Sequence, residues 1–139
     1  MPRPSKISIH QFHSGSSVAD AVTNCMFFVQ SMLESFGFES DIFVEHVDPA
    51  LSGRIRRLED LRPAESDLLL IHHSMGHDAF SRLADLPCRK FLVYHNITPP
   101  QFFEKSDPFH SYGVKGYSQL ALFRDIVESA IAVSPFNGS

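Results

Sequence analysis

The segment DLLLIHH, residues 67 to 73, most constrains how this chain can fold. Leu68, Leu69, Leu70 and Ile71 follow one another with no polar interruption. A strand with one wet face alternates apolar and polar residues, so an unbroken run reads as a strand covered on both faces. Covering both faces requires helices on both sides of the sheet. That arrangement arises when parallel strands are joined by helical crossovers.

The rest of the chain carries the matching alternation. Ile7 to Phe12 reads as a first strand, followed by the polar turn HSGSS around Gly15. From Val18 the period becomes helical. Val18, Ala21, Val22, Cys25, Phe28, Val29, Met32, Leu33 and Phe36 form one stripe. Ser17 with Asp20 resembles a capping box with the shorter acid, and Gly37 is placed to end the helix. Ile42 to Val47 is a second strand. Leu51, Ile55, Leu58 and Leu61 suggest a short helix stopped by Pro63. Residues 67 to 73 are the third strand, 78 to 86 a short helix, and Phe91 to His95 the fourth strand, halted by Pro99 and Pro100. A loop is expected over 97 to 116. A helix follows from Tyr117 to Ala130, with Tyr117, Leu120, Ala121, Arg124 and Val127 on one side, and a fifth strand begins at Ile131 to Val133. The pattern predicts an α/β fold with a mostly parallel sheet. A terminal strand should feed another crossover, yet only SPFNGS remains, so the chain is expected to be part of a longer protein.

Three strands end in polar clusters. In an open parallel sheet, ligands bind at the carboxyl ends of the strands. The first strand ends in His10-Gln11-Phe12-His13 before Ser14-Gly15-Ser16-Ser17. Here glycine would allow close backbone approach, and the free N–H groups of a helix start would attract a phosphate. Only one glycine is present and no Gly-Lys-Ser/Thr follows, so as a bare motif it is weak and a tight turn with a serine cap explains the segment better. The third strand ends in His72-His73-Ser74-Met75-Gly76-His77-Asp78. His73 and His77 stand four apart, but the strand-to-helix change between them argues against one shared metal face. Lining a cleft or satisfying loop backbone suits these histidines better. The fourth strand ends in His95-Asn96-Ile97-Thr98. There an imidazole could orient or polarise a hydroxyl, or bond the loop backbone.

Composition removes several classes. The net charge of −4 argues against a general nucleic-acid role. Arg54, Arg56 and Arg57 are followed at once by Glu59 and Asp60, which reads as a solvated, salt-bridged face rather than an anion patch. Cys25 and Cys88 lie outside any C-x-x-C pattern and are read as reduced thiols of a cytosolic protein, with Cys25 on the apolar helix face. MPRPSK leads directly into ISIHQF and shows no signal-peptide pattern, and no apolar stretch approaches the ~20 residues of a membrane span.

Four stretches together resemble the amino-terminal domain of glycosyltransferase family 4, enzymes of the GT-B fold. They are IHQFHSG with Asp20, Ala21, Val22 and Asn24; DLLLIHHSMG; LVYHNITPPQFF, the most specific; and ESAIAVSPFN. The resemblance spans residues 6 to 137. It implies a Rossmann-like three-layer domain, the amino-terminal half of a GT-B enzyme, over residues 1–139. Gly15 and Ser16 would approach the donor's phosphates. His95 would be the catalytic cleft histidine near the sugar and acceptor hydroxyl. His13, Asp20, Asn24, His72, His73, Asn96 and Thr98 would line the acceptor side. The family's carboxy-terminal half carries a Glu-x7-Glu motif, and no two glutamates of this chain stand eight apart. The donor-binding domain is therefore outside this sequence, and the isolated chain is expected to be inactive.

The implied activity is retaining transfer of a sugar from a nucleotide-sugar donor to a glycan or lipid-linked acceptor. It needs no metal or other cofactor. It would occur in the cytoplasm, with peripheral contact at the inner membrane face as an open alternative. The rival reading is a freestanding, non-catalytic α/β module that recognises a nucleotide or carbohydrate. A metal hydrolase using His72, His73 and His77 is a distant third.

Overall fold

A computed structural model describes residues 7–15, 21–74, 77–95 and 108–132, without the side chains of 108–113, 116 and 117. Six strands form one parallel sheet: β1 (Ile9–Gly15), β2 (Ile42–His46), β3 (Arg56–Arg57), β4 (Leu68–His73), β5 (Arg89–Tyr94) and β6 (Ser129–Ala132). Their spatial order is β3-β2-β1-β4-β5-β6, which is Rossmann-like. Helix α1 (Ala21–Ser35) connects β1 to β2, α2 (Phe80–Asp85) connects β4 to β5, and α3 (Pro108–Phe123) connects β5 to β6. None of the described helices is long and apolar enough to cross a membrane.

The unbroken apolar run of β4 lies between β1 and β5, in register Phe12↔Ile71↔Leu92 and Gln11↔Leu70↔Phe91. Paired residues in neighbouring parallel strands share a face. Phe12, Phe43, Leu69, Ile71 and Leu92 therefore form one core with Leu83 of α2 and Phe123 of α3. On the other face, Ile42 and Val44 pack with Met26 of α1, Leu51 and Ile55. Burying an aliphatic side chain of this size is worth about 1.5–3 kcal/mol.

Several elements differ from the sequence expectation. Strand β1 ends at Gly15 rather than Phe12, because pairing with β2 continues to Gly15↔His46. The apolar positions Leu51, Ile55, Leu58 and Leu61 are all buried, but they sit on two 3-10 turns, Pro49–Leu51 and Leu58–Asp60, rather than one helix. Between the turns, Arg56 and Arg57 extend to pair with β2. Helix α3 begins within the expected loop, with Pro108 at its start, where a missing N–H costs nothing. It ends at Phe123, not Ala130. Arg89 holds Glu128 through two hydrogen bonds, of 2.8 and 2.7 Å, and the Glu128 N–H donates to the Lys90 carbonyl, drawing the chain into β6.

The largest correction concerns α1. Its buried residues are Thr23 and Met26, while Phe28, Met32 and Phe36 of the expected stripe are 69%, 42% and 72% exposed. The helix is apolar around much of its circumference, so spacing alone leaves its inner face undecided. Packing of Met26 and Phe27 over Ile42 and Val44 selects it. Its end agrees with the sequence: Gly37 takes φ 93°, Phe38 N donates to Leu33 O and Gly37 N to Glu34 O, a Schellman close. Both cysteines are free thiols.

Candidate functional site at the carboxyl rim

β1, β4 and β5 lie side by side and run the same way, so their carboxyl ends share one rim. Side chains alternate along a strand, and this sorts the rim histidines by face. Gln11 and His13 of β1, His72 of β4 and His95, just past β5, face the α1 side. His73 points the opposite way.

A buried hydrogen-bond chain links the first group. Gln11 Nε2 donates to the Met26 carbonyl of α1 at 2.9 Å, which leaves Gln11 Oε1 as an acceptor. His72 Nε2 lies 2.8 Å from that oxygen and must carry the proton. His72 Nδ1 is then the acceptor, and His95 Nε2, 2.9 Å away, donates to it. The network thus fixes the tautomer of His72 and makes Nε2 of His95 the donor. Gln11, His72 and His95 are 0%, 1% and 9% exposed. Burial, then the neighbouring His95 and His13, pushes the His72 pKa down to about 3, so the ring stays neutral at physiological pH.

A second pair stands beside the first. His13 Nδ1 lies 2.9 Å from the Gly15 carbonyl, which only accepts, so Nδ1 is protonated. His13 Nε2 accordingly accepts from the Ser74 hydroxyl at 2.8 Å. Ser74 follows directly after β4 and is partly exposed, which puts a polarised hydroxyl at the rim.

His73 reaches the same edge but does not line a cleft with His72. It is 0% exposed and meets Phe123 edge-on at 5.0 Å and His77 at 5.9 Å, within the α3-side core. A common metal site of His72, His73 and His77 is therefore divided between two faces of the sheet. His77 is held by its backbone: Gln119 of α3 accepts from His77 N and donates to His77 O. The sequence reading missed Gln119, since a glutamine on a helix carries no local signal of a partner 42 residues away. Gln11 carries no local signal of its role either, for the same reason.

Gly15 ends β1 with no positive φ, and a Cβ there would meet only the His46 carbonyl, at 4.0 Å. The chain's own packing thus sets no requirement for glycine. Asn24 is exposed on α1. Ser16, Asp20, Asn96 and Thr98 lie outside the described residues, as does Ser17 of the expected cap. Arg56 pairs with Asp41 at 3.4 Å, Arg57 with Glu59 at 3.5 Å, and Arg54 stacks over Phe27 at 3.7 Å, so the arginine cluster is salt-bridged and solvated. Among the described residues one ligand-type set does converge: Cys25 of α1, His72 and His95 each bring a donor atom within 4.8 Å of the others. No protein-family model matches the chain, and a comparison with curated proteins returns no match.

Proposed function

We propose that this chain is the amino-terminal, Rossmann-like half of a retaining glycosyltransferase that passes a sugar from a nucleotide-sugar donor to a glycan or lipid-linked acceptor. The observation that carries the reading is the position and preparation of His95. It stands at the carboxyl rim of a parallel sheet, and a buried, neutral His72 accepts from its Nε2–H. A ring whose Nε2–H is committed to His72 is held in one orientation at the rim, the kind of fixed group that can position a sugar or acceptor hydroxyl.

The neighbouring groups fit the same chemistry. Ser74, polarised by His13, offers a second hydroxyl contact at the rim. Gly15 leaves the end of β1 without a side chain where a phosphate would have to approach closely. The pyrophosphate's basic partners and the donor-binding domain would come from a segment beyond Ser139. The acceptor would enter from the α1 side, where Gln11, His13, His72 and His95 face.

The test has two parts. In the longer polypeptide, nucleotide-sugars are screened as donors with mass detection of the glycosylated product. His95→Ala should then lower turnover by about 100-fold or more with folding intact, the scale of losing a positioned acid–base group. Unchanged turnover, or a native stop codon after Ser139, removes the transferase reading. In the second case, nucleotide-sugar binding by the 139-residue chain, seen as NMR shifts at Gly15 and His95, would favour the non-catalytic module.

A further inference from the structure

We propose that Cys25, His72 and His95 form a three-ligand site for one zinc-class ion, between α1 and the carboxyl ends of β4 and β5. The inference stands on the rim geometry and is independent of the transferase reading. Three separate elements deliver one donor atom each, all within 4.8 Å of one another. A thiolate with two imidazoles is a borderline-soft set that suits zinc and excludes magnesium or calcium, which take oxygen ligands.

A second observation points the same way. A metal-binding histidine characteristically donates its other ring N–H to a fixed acceptor, which orients the ring and holds its lone pair on the metal. His72 does this: Nε2–H donates to Gln11 Oε1 at 2.8 Å, leaving the Nδ1 lone pair turned toward His95. Gln11 in turn donates to the carbonyl of Met26, the residue after Cys25. One side chain therefore sets both the His72 tautomer and the seating of the cysteine-bearing helix on the sheet. Cys25 is half-buried and so remains open to an arriving ion, while the two histidines are buried.

Loading the site balances simply. His72 uses its existing Nδ1 lone pair. His95 moves its ring proton from Nε2 to Nδ1 and presents Nε2. Cys25 loses its thiol proton to solvent, so one proton leaves per ion. Ligand nitrogens on a tetrahedral zinc lie about 3.3 Å apart, given Zn–N bonds of about 2.0–2.1 Å. The two nitrogens, now 2.9 Å apart and facing each other, separate by a few tenths of an ångström while both rings pivot to aim their lone pairs at one ion. A solvent molecule completes the fourth position. Zinc here would break the His95–His72 hydrogen bond and silence any chemistry that depends on it.

The experiment is a zinc titration of the metal-stripped 139-residue chain against a chromophoric chelator, with proton release followed in weak buffer. The expected result is one zinc per chain, one proton released, and no competition from magnesium. Cobalt should give a thiolate charge-transfer band that disappears in Cys25→Ser. Cys25→Ser and His95→Ala should each weaken zinc binding more than about 10-fold, and Gln11→Leu by about 10-fold through the freed tautomer. His46→Ala, at an exposed strand end, should change nothing. Cys25→Ser is nearly isosteric and decides the matter alone should His95→Ala fail to fold. Absence of stoichiometric binding, or binding that survives Cys25→Ser, overturns the site.

Discussion

His72 Nδ1 lies 2.9 Å from His95 Nε2, and the direction of that hydrogen bond is set 15 residues from Met26 by Gln11. The backbone carbonyl of α1 fixes the Gln11 amide, the amide fixes His72, and His72 fixes His95. A functional group at the rim is thereby tied to the packing of a helix against the sheet. Nitrogen-15 NMR should find the His72 ring neutral at pH 7, with protons on Nε2 of His72 and on Nε2 of His95. Gln11→Leu should abolish the single-tautomer signature. It should also cost about 1–3 kcal/mol in denaturant unfolding, because a buried ring N–H loses its acceptor. An unchanged single-tautomer signal for His72 in that variant would show that Gln11 does not direct the network.

Acid should destabilise the fold through His77. Burial is the main cause that lowers its pKa to about 3, with His73 of β4, His13 of β1 and Lys115 of α3 adding in the same direction and Asp78 opposing. The folded-state pKa lies below the unfolded value of about 6.5, so the unfolded chain binds the extra proton. Stability from this group is complete above about pH 6.5 and is lost as the pH falls toward 3. His72 acts with the same sign. His77→Phe keeps a ring against Phe12 and Phe123. It should flatten the dependence of unfolding free energy on pH across that window by up to about 1.4 kcal/mol per pH unit, the slope of one proton. An unchanged slope in urea melts at pH 4, 5 and 6 would exclude His77 as the source.

Much of this was legible in the chain itself. The apolar run of β4 and the alternation of strand and helix sufficed for an α/β parallel sheet, and the polar strand ends marked its rim. That His72 and His73 part company also follows from period-two geometry once the strand is granted, although their adjacency invites a paired reading. The inner face of α1 was not legible, because Phe28, Met32 and Phe36 satisfy helical periodicity as well as Met26 does. The start of α3 was obscured by glycines and aromatics over 109–117, which local propensity scores as loop. Gln11 and Gln119 owe their roles to partners distant in sequence, and nothing in their neighbours announces this.

Asp67 should prove a structural rather than functional acid. It lies at the amino end of β4, away from the rim, and is 9% exposed. Its Oδ1 accepts from Ser8 N at 3.1 Å and its Oδ2 from Ala64 N at 2.8 Å, joining the entry of β1 to the loop before β4. Asp67→Ala strands two backbone donors and should cost about 2–4 kcal/mol in chemical denaturation. Asp67→Asn retains one acceptor and should cost about half as much. Equal losses for the two variants would mean that charge, not hydrogen bonding, is what the position supplies.

Gln119 should behave as the latch of α3. Its amide closes a two-bond ring with the backbone of His77, at 3.1 and 2.7 Å, and is 5% exposed. Among the described side chains of the helix, Phe123 and, partly, Leu120 also reach the core. Gln119→Leu preserves approximate volume and adds apolar surface, but leaves His77 N–H and C=O unpaired in a buried place. The hydrogen-bond loss outweighs the apolar gain, because each stranded group costs about 1–3 kcal/mol while the extra burial returns about 1 kcal/mol. Net destabilisation of about 1–4 kcal/mol is expected, with faster amide exchange at His77 and along α3 while β1 and β2 keep their protection. Gln119→Glu keeps the acceptor and loses the donor, so it should recover the His77 N–H protection alone. A Leu variant as stable as the parent would show that the other contacts of α3 suffice to hold it, and that the glutamine merely fills space.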